Sequence, residues 1–102
     1  MHRSRLELQD VLEELLGSEN VYFQPPASLR MKYPCIVYER SDIAPIKADN
    51  SNYLKRKRYL VKVIDKDPDS DIPDRLIDLD YCNFDRHFVS DNLNHDVFTL
   101  YF

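Results

Sequence analysis

The stretch YLKRKRYLVKVID, residues Tyr53–Asp65, is the longest strand candidate in the chain and decides where the core lies. Strand alternation places three apolar residues on one face of its second half: Tyr59, Val61 and Val63. The first half carries four consecutive cations: Lys55, Arg56, Lys57 and Arg58. Because this half is too charged for a core, we expect it to project beyond the body of the protein as an arm or a long hairpin.

Three elements and a loop precede this strand. Ser4, with Glu7 three residues later, matches a capping box, and apolar residues then recur at helical spacing as far as Gly17. We therefore predict a helix over Ser4–Leu16. The run NVYFQ predicts a short edge strand beside that helix, stopped by two prolines. The run KYPCIVYER predicts a strand covered on both faces in its first half, and SDIAPIKADNSN is a loop by composition.

Two further elements follow the central strand. Asp71 is placed to cap a short helix that carries Ile72, Leu76 and Leu79 on one side. The chain then closes with a hairpin, Tyr81–Val89 followed by 94–102.

The register of this hairpin follows from its apolar residues, because a slip of one residue would invert every side chain. Opposing Phe84 to Leu100 gathers the apolar set on one face: Cys82, Phe84, Phe88, Phe98, Leu100 and Phe102. The opposite face then takes the polar set: Tyr81, Asp85, His87, His95, Thr99 and Tyr101. This register predicts an odd loop of three or five residues centred on Asn92. It also places Phe102 in the core.

The order of elements is α-β-β-β-α-β-β. This order predicts an α+β fold, with a mostly antiparallel sheet of about five strands and both helices on one face. The 102 residues suffice for one small domain, so we expect residues 1–102 to form a single unit.

Composition narrows the class of protein. A hydrophobic fraction of 43% and a charged fraction of 31% are typical of a soluble globular chain. The net charge of -4 gives no global attraction to nucleic acid or to an anionic membrane. We see neither an apolar run of membrane-spanning length nor a secretory signal, so we expect the protein in the cytoplasm of the cell that makes it.

Nothing in the sequence makes a convincing catalytic, cofactor or metal site. The aspartates from Asp65 to Asp74 resemble the start of a calcium loop, but Ser70 stands where its glycine belongs. His87 and His95 share the polar hairpin face, yet no third ligand has matched spacing. Cys35 and Cys82 are too isolated for a zinc site or a disulfide framework and read as buried free thiols. We therefore predict a protein that is not an enzyme and has no cofactor.

Two blocks of opposite charge are the clearest candidates for a functional surface. We predict a subunit interface in which one copy contributes the basic run and another copy contributes the acidic loop. The predicted interface residues are Lys55, Arg56, Lys57, Arg58, Asp67, Asp69 and Asp71. A merely solvated arm and direct contact with DNA remain alternatives, although alternation sends only two cations to each face.

Four stretches, VYFQPP, KYPCIVYE, VIDKDPDSDIPDRL and LNHDVFTLYF, resemble a family of small proteins from the head-to-tail gene module of long-tailed bacteriophages. Proteins of this size and element order look like tail terminator (tail completion) proteins. The resemblance implies a structural virion protein that forms a ring, typically hexameric. It also implies contacts with the tail tube protein and the head-tail connector (stopper), passage of DNA through the lumen, and no membrane partner. The implied location is the neck of the virion, after assembly in the host cytoplasm.

The resemblance leaves other roles open. A neighbouring neck or connector role would suit the same motifs, since these are structural. A nucleic-acid-binding regulator would use the basic run, and a metal-dependent nuclease would use the aspartates.

Overall fold

The computed structural model describes the backbone of residues 4–47 and 53–102 and the side chains of residues 4–41 and 57–102. Two helices and five strands form the described part, in the order predicted. The elements are α1 (Arg5–Leu16), β1 (Val21–Phe23), β2 (Cys35–Lys47), β3 (Tyr53–Asp65), α2 (Ile72–Ile77), β4 (Cys82–Ser90) and β5 (Leu93–Tyr101).

The five strands form one sheet in the order β1-β2-β3-β5-β4. β1 runs parallel to β2, and the other neighbouring pairs are antiparallel. Both helices contribute to one hydrophobic cluster on the sheet, with Leu8, Leu12 and Leu16 from α1 and Ile72 and Leu76 from α2. The predicted α+β class is therefore confirmed.

Helix α1 begins and ends as its sequence predicts. The Ser4 hydroxyl accepts a hydrogen bond from the Glu7 amide at 3.2 Å, which satisfies one of the unpaired amides of the first turn. Gly17 follows the last turn with φ of 83°, a left-handed conformation that glycine adopts without strain. The buried leucines lie on one side of the helix, and this stripe holds α1 against the sheet.

Strand β3 lies at the centre of the sheet. Tyr59, Val61 and Val63 are at most 1% exposed and pack under the helices, as predicted. The rest of the sheet side of the core consists of Val21, Ile36, Tyr38, Phe98, Leu100 and Phe102. Burial of Phe102 in this cluster confirms that prediction.

Strands β2 and β3 form a hairpin that continues past the end of β5. β5 pairs with β3 only as far as Arg58, whereas the β2–β3 ladder extends to the pair Lys47–Tyr53. The longest dimension of the protein is 47 Å, against 24 and 22 Å for the others. The prediction of a long hairpin is thus confirmed.

The predicted loop SDIAPIKADNSN was wrong over residues 41–47, which belong to β2, and its remainder, 48–52, lies outside the described residues. A bulge between Arg40 and Asp42 lets the strand continue in a shifted register. β1 pairs with β2 only up to Tyr38, so Pro45 stands where β2 is an edge of the described sheet and needs no amide donor on that side.

The predicted register of the closing hairpin was also wrong. Ser90 pairs with Leu93 around a two-residue turn, not an odd loop. Asp91 and Asn92 both have positive φ, which a type I′ turn requires and which these residue types tolerate. The predicted odd loop ignored this turn chemistry.

A bulge farther along the hairpin then restores part of the predicted face. The register shifts between Phe84 and Arg86, so that Phe84 opposes Phe98 and Cys82 opposes Leu100. Phe88, however, opposes His95 and stacks on its ring at 4.6 Å, on the face opposite to Phe98. Only the half beyond the bulge therefore has the predicted apolar face.

Helix α2 begins after Asp71 as predicted, and Leu79 packs against the core after the helix ends. The predicted capping bond was wrong, because the Asp71 side chain makes no hydrogen bond to the first turn. Its carboxylate instead accepts from Arg75 at 2.7 Å. Arg75 also donates to the Leu15 carbonyl at 3.1 Å, so this pair ties α2 to the end of α1.

Candidate subunit interface

The basic run lies where the β2–β3 hairpin leaves the body of the protein. The side chains of Lys55 and Arg56 lie outside the described residues, whereas those of Lys57 and Arg58 are described. The Lys57 amide and carbonyl are bonded to Phe102 at 3.2 and 3.0 Å, which fixes the backbone at this point. The Arg58 Nε donates to the Ser41 hydroxyl at 3.1 Å, beside the β2 bulge.

Lys57 and Arg58 line different clefts, as strand alternation requires. Lys57 lines a cleft on the α1 side of the sheet, and Arg58 lines another with Asp85, Thr99 and Tyr101. The two described cations of the run thus act on separate surfaces and do not form one continuous track for phosphates.

The cleft that contains Lys57 holds two further cations that the sequence analysis missed. Arg5 comes from the first turn of α1 and Arg40 from β2, so the three charges derive from three elements. We call this the cationic cleft; its volume is about 330 Å³ and its lining residues are Arg5, Phe23, Gln24, Arg40, Lys57 and Tyr59. The sequence could have indicated Arg40, because strand alternation places it on the same face as Ile36 and Tyr38.

Contacts with the core hold the residues of this cleft in place. The Arg5 guanidinium lies 4.5 Å from the centre of the Phe23 ring, and its Nη1 donates to the Tyr38 hydroxyl at 3.3 Å. The Arg40 amide donates to the Gln24 Oε1 at 3.3 Å. These contacts fix the Arg5 side chain and the Arg40 backbone, so this part of the cleft is preformed, which lowers the cost of ordering it on binding.

The arginines of this cleft affect the pKa values of Tyr59 and Tyr38. Burial raises the pKa of Tyr59, while the nearby Arg40 and Arg5 oppose that rise. Burial likewise raises the pKa of Tyr38, and the hydrogen bond from Arg5 opposes the rise. In both tyrosines burial outweighs the cations, so the net pKa lies above its ordinary value and both hydroxyls stay neutral at neutral pH.

The acidic loop between β3 and α2 presents two carboxylates to solvent. The Asp65 carboxylate accepts from the Asp67 amide at 3.0 Å, and the Asp67 carboxylate accepts from the Asp69 amide at 2.9 Å. These consecutive turns shape the loop, and Asp67 and Asp69 remain exposed. Of the three predicted acidic interface residues, Asp71 differs because its carboxylate is already engaged by Arg75.

The cationic cleft and the acidic loop lie at opposite ends of the body. The eight residue steps from Lys57 to Asp65 along β3 span about 26 Å at about 3.3 Å each. Helix α1 gives a second measure, since Arg5 at its start faces the cleft while Leu15 near its end contacts Arg75, and ten residues of helix rise about 15 Å. Within one chain the two charge groups are thus too far apart to form an ion pair.

Neither thiol is chemically activated. Burial, reinforced by Asp65, raises the pKa of Cys35 to about 12, and burial with Asp85 raises that of Cys82 to about 11. Both thiols are therefore protonated at neutral pH, whereas the reactive form of a cysteine is the thiolate. Cys35 is buried as predicted, but Cys82 is only partly buried. Their strands, β2 and β4, are three sheet spacings or about 14 Å apart, too far for a disulfide.

The two hairpin histidines do not share a face, contrary to prediction. His87 opposes Asp96, and their side chains meet at 2.8 Å between Nδ1 and Oδ1, whereas His95 stacks on Phe88. The two-residue turn sets this register and so places His87 and Asp96 on the same face. Among residues with described side chains, no group of three His, Cys, Asp or Glu is placed to hold a metal ion.

No protein-family model matches this chain, and no curated protein matches it. In the described residues, no helix is both long and apolar enough to cross a membrane.

Proposed function

We propose that this protein is a structural virion protein of a long-tailed bacteriophage, a tail terminator whose copies form a ring that caps the tail tube and joins it to the head connector. The observation that carries the proposal is the separation of opposite charges at the two ends of the body. The cationic cleft lies at the end of β3 that leaves the core, and the acidic loop lies at the other end.

This arrangement supports repeated association of identical copies. A surface at one end that complements a surface at the other end makes a head-to-tail contact, which closes into a ring when the rotation between copies permits. Complementary charge fixes the orientation and register of such contacts more than it sets their affinity. A hexameric ring, its contacts with the tail tube protein and the connector (stopper), and passage of DNA through its lumen are parts of the same proposal.

A neighbouring neck or connector role is the second candidate, because the same head-to-tail contact would build either ring. A nucleic-acid-binding regulator is less well supported. Lys57 and Arg58 line different clefts, and the chain has a net charge of -4, so neither local nor global charge favours a phosphate track.

Particle morphology after removal of the gene tests the proposal. For a terminator we expect DNA-filled heads beside unjoined tails that are overlong in electron micrographs, with normal particles restored when the intact gene is supplied in trans. Unjoined tails of normal length would favour the connector role instead. Normal particles in the absence of the gene would contradict both roles.

A further inference from the structure

The three cations of the cationic cleft have no carboxylate partner among the residues whose side chains are described. Among residues with described side chains, none of the acids lines the cleft, and none forms an ion pair with Arg5, Arg40 or Lys57. Three like charges around one cavity repel one another, so an anion bound between them would be stabilised by all three. The two aromatic rings of Phe23 and Tyr59 also line the cleft and exclude water from part of it.

The Asp67 and Asp69 carboxylates of the acidic loop likewise have no cationic partner among the described residues. Asp67 uses one carboxylate oxygen to accept the Asp69 amide, and Asp69 has no partner for its side chain among the described residues. Both are exposed, and the turns described above present them on consecutive bends of one short loop. Two exposed carboxylates on one loop can therefore pair with cations of another copy.

We propose that the cationic cleft binds the carboxylates of Asp67 and Asp69 from a second copy of this chain, with Arg5 and Arg40 as the specificity-determining cations. This inference rests on the proposed ring function and names the contact between copies. Pairing within one chain is excluded, because Lys57 in the cleft and Asp65 at the start of the acidic loop are already about 26 Å apart along β3. Arg5 and Arg40 lie outside the basic run, so the contact uses the three-element cleft and not the run alone.

Charge-reversed variants test the contact. The first carries Arg40→Glu and Lys57→Glu, and the second carries Asp67→Lys and Asp69→Lys. At a protein concentration and low salt at which the wild type associates, each variant alone should associate at least about tenfold more weakly in sedimentation velocity. In an equimolar mixture, the reversed cleft of the first variant can bind the reversed loop of the second. The native cleft of the second variant can bind the native loop of the first, so association should return.

Recovery in the mixture also shows that both variants fold, which a loss of association alone would not. Arg30→Glu is the matched control, since Arg30 is exposed and does not line the cleft. Association of this control should equal that of the wild type. The same samples with a double-stranded DNA oligonucleotide distinguish a phosphate ligand from a second copy.

Four results would overturn the inference: a wild type that stays monomeric at low salt, a cleft variant that associates as strongly as the wild type, a mixture that stays dissociated, or a cleft that binds DNA while association is unaffected by its reversal. If the cleft variant alone associates normally, the ring proposal survives and this contact is wrong. Normal particles after gene removal would refute the ring proposal itself.

Discussion

The two halves of β3 lie in very different surroundings. The inner half, Tyr59 to Asp65, lies between β2 and β5 and carries three residues of the core under the helices. The outer half, Tyr53 to Arg58, pairs with β5 only at Arg58. Lys57 makes the last backbone contact, with Phe102, and the strand then runs past the end of β5. One strand thus passes from the core into a projecting hairpin.

This difference indicates a division of roles along a single strand. Burial of apolar surface supplies most of the folding free energy, so stability should depend on the inner half and its neighbours. The charged outer half contributes little to that sum, since exposed charges typically add less than about 1 kcal/mol each. Substitutions should therefore affect either stability or association, and seldom both.

The largest effect should come from the boundary residue Phe102, which is 7% exposed. Phe102→Ala should lower the free energy of unfolding by about 3–5 kcal/mol, because it empties a space in the core. Deleting Tyr101 and Phe102 should cost more, since the bonds to Lys57 are lost as well. A chain of this size has roughly 5–15 kcal/mol in total, so the truncated protein should be largely unfolded.

Thermal unfolding measures this effect, with Leu6→Ala as the control. Leu6 is 64% exposed on α1, and its substitution should change the melting temperature by only a few degrees. If the truncated protein melted within a degree or two of the parent, the boundary of the core would have to be moved inward from Phe102.

A smaller loss of stability should follow Tyr38→Phe. The Tyr38 hydroxyl donates to the Gln9 Oε1 at 2.5 Å and accepts from Arg5, and the ring is fully buried. Removing the hydroxyl leaves Gln9 without this partner and should cost about 1–2 kcal/mol in denaturant unfolding. The matched control is Tyr22→Phe. The Tyr22 hydroxyl accepts an exposed hydrogen bond from the Lys32 amide, so its removal should lower the free energy of unfolding by only a few tenths as much. Equal effects at both positions would contradict the assigned role of the Tyr38 network.

The response to alkaline pH should come from Cys35 on β2, which pairs with Ile64 of the inner half. Its pKa is raised from 9.0 to about 12 in the folded protein, so the unfolded thiol ionises first and stability should fall as pH rises from 9 to 12. Below pH 9 this contribution is fully present. Cys35→Ala should flatten the decline in unfolding free energy, and Cys82→Ala should flatten it less, because the pKa of Cys82 reaches only about 11. An unchanged slope in Cys35→Ala would refute the assignment.

The smallest effect on stability should come from the outer half. Lys57→Glu keeps the backbone bonds to Phe102 and should change the free energy of unfolding by no more than about 0.5 kcal/mol. The same variant should associate more weakly than the wild type. A melting temperature many degrees below that of the parent would show that the two roles are not divided between the halves.

The sequence predicted the elements of the fold well, because each has a strong local signal. Ser4 and Gly17 mark the ends of α1, and the apolar alternation of Tyr59, Val61 and Val63 marks the core strand. The errors lie in the hairpins, where two single-residue bulges alter the register. A bulge leaves no periodic signal in the sequence. At Asp85 the bulge allows the hairpin to have both a two-residue turn and an apolar face beyond it. Neither the turn residues nor the apolar pattern predicts the bulge when taken alone.

The candidate site was predicted only in part, for a related reason. The basic run and the acidic loop are contiguous in sequence and could be found by their composition. The cationic cleft joins Arg5, Arg40 and Lys57 from three elements, and their proximity depends on the sheet order and on the position of α1. Asp71 is likewise unavailable to another copy, because it forms an ion pair with Arg75 four residues later. The sequence analysis predicted a capping role for Asp71 and did not consider this pair.

The salt dependence of wild-type association tests the central claim most directly, namely that opposite charges at the two ends of the body join copies head to tail. Sedimentation velocity should show assemblies larger than a monomer at roughly 0.02 M salt and predominantly monomer at roughly 1 M, where the screening length falls to about 3 Å. Association that is unchanged or strengthened at high salt would indicate an apolar contact and contradict the account, as would a monomer at every salt concentration.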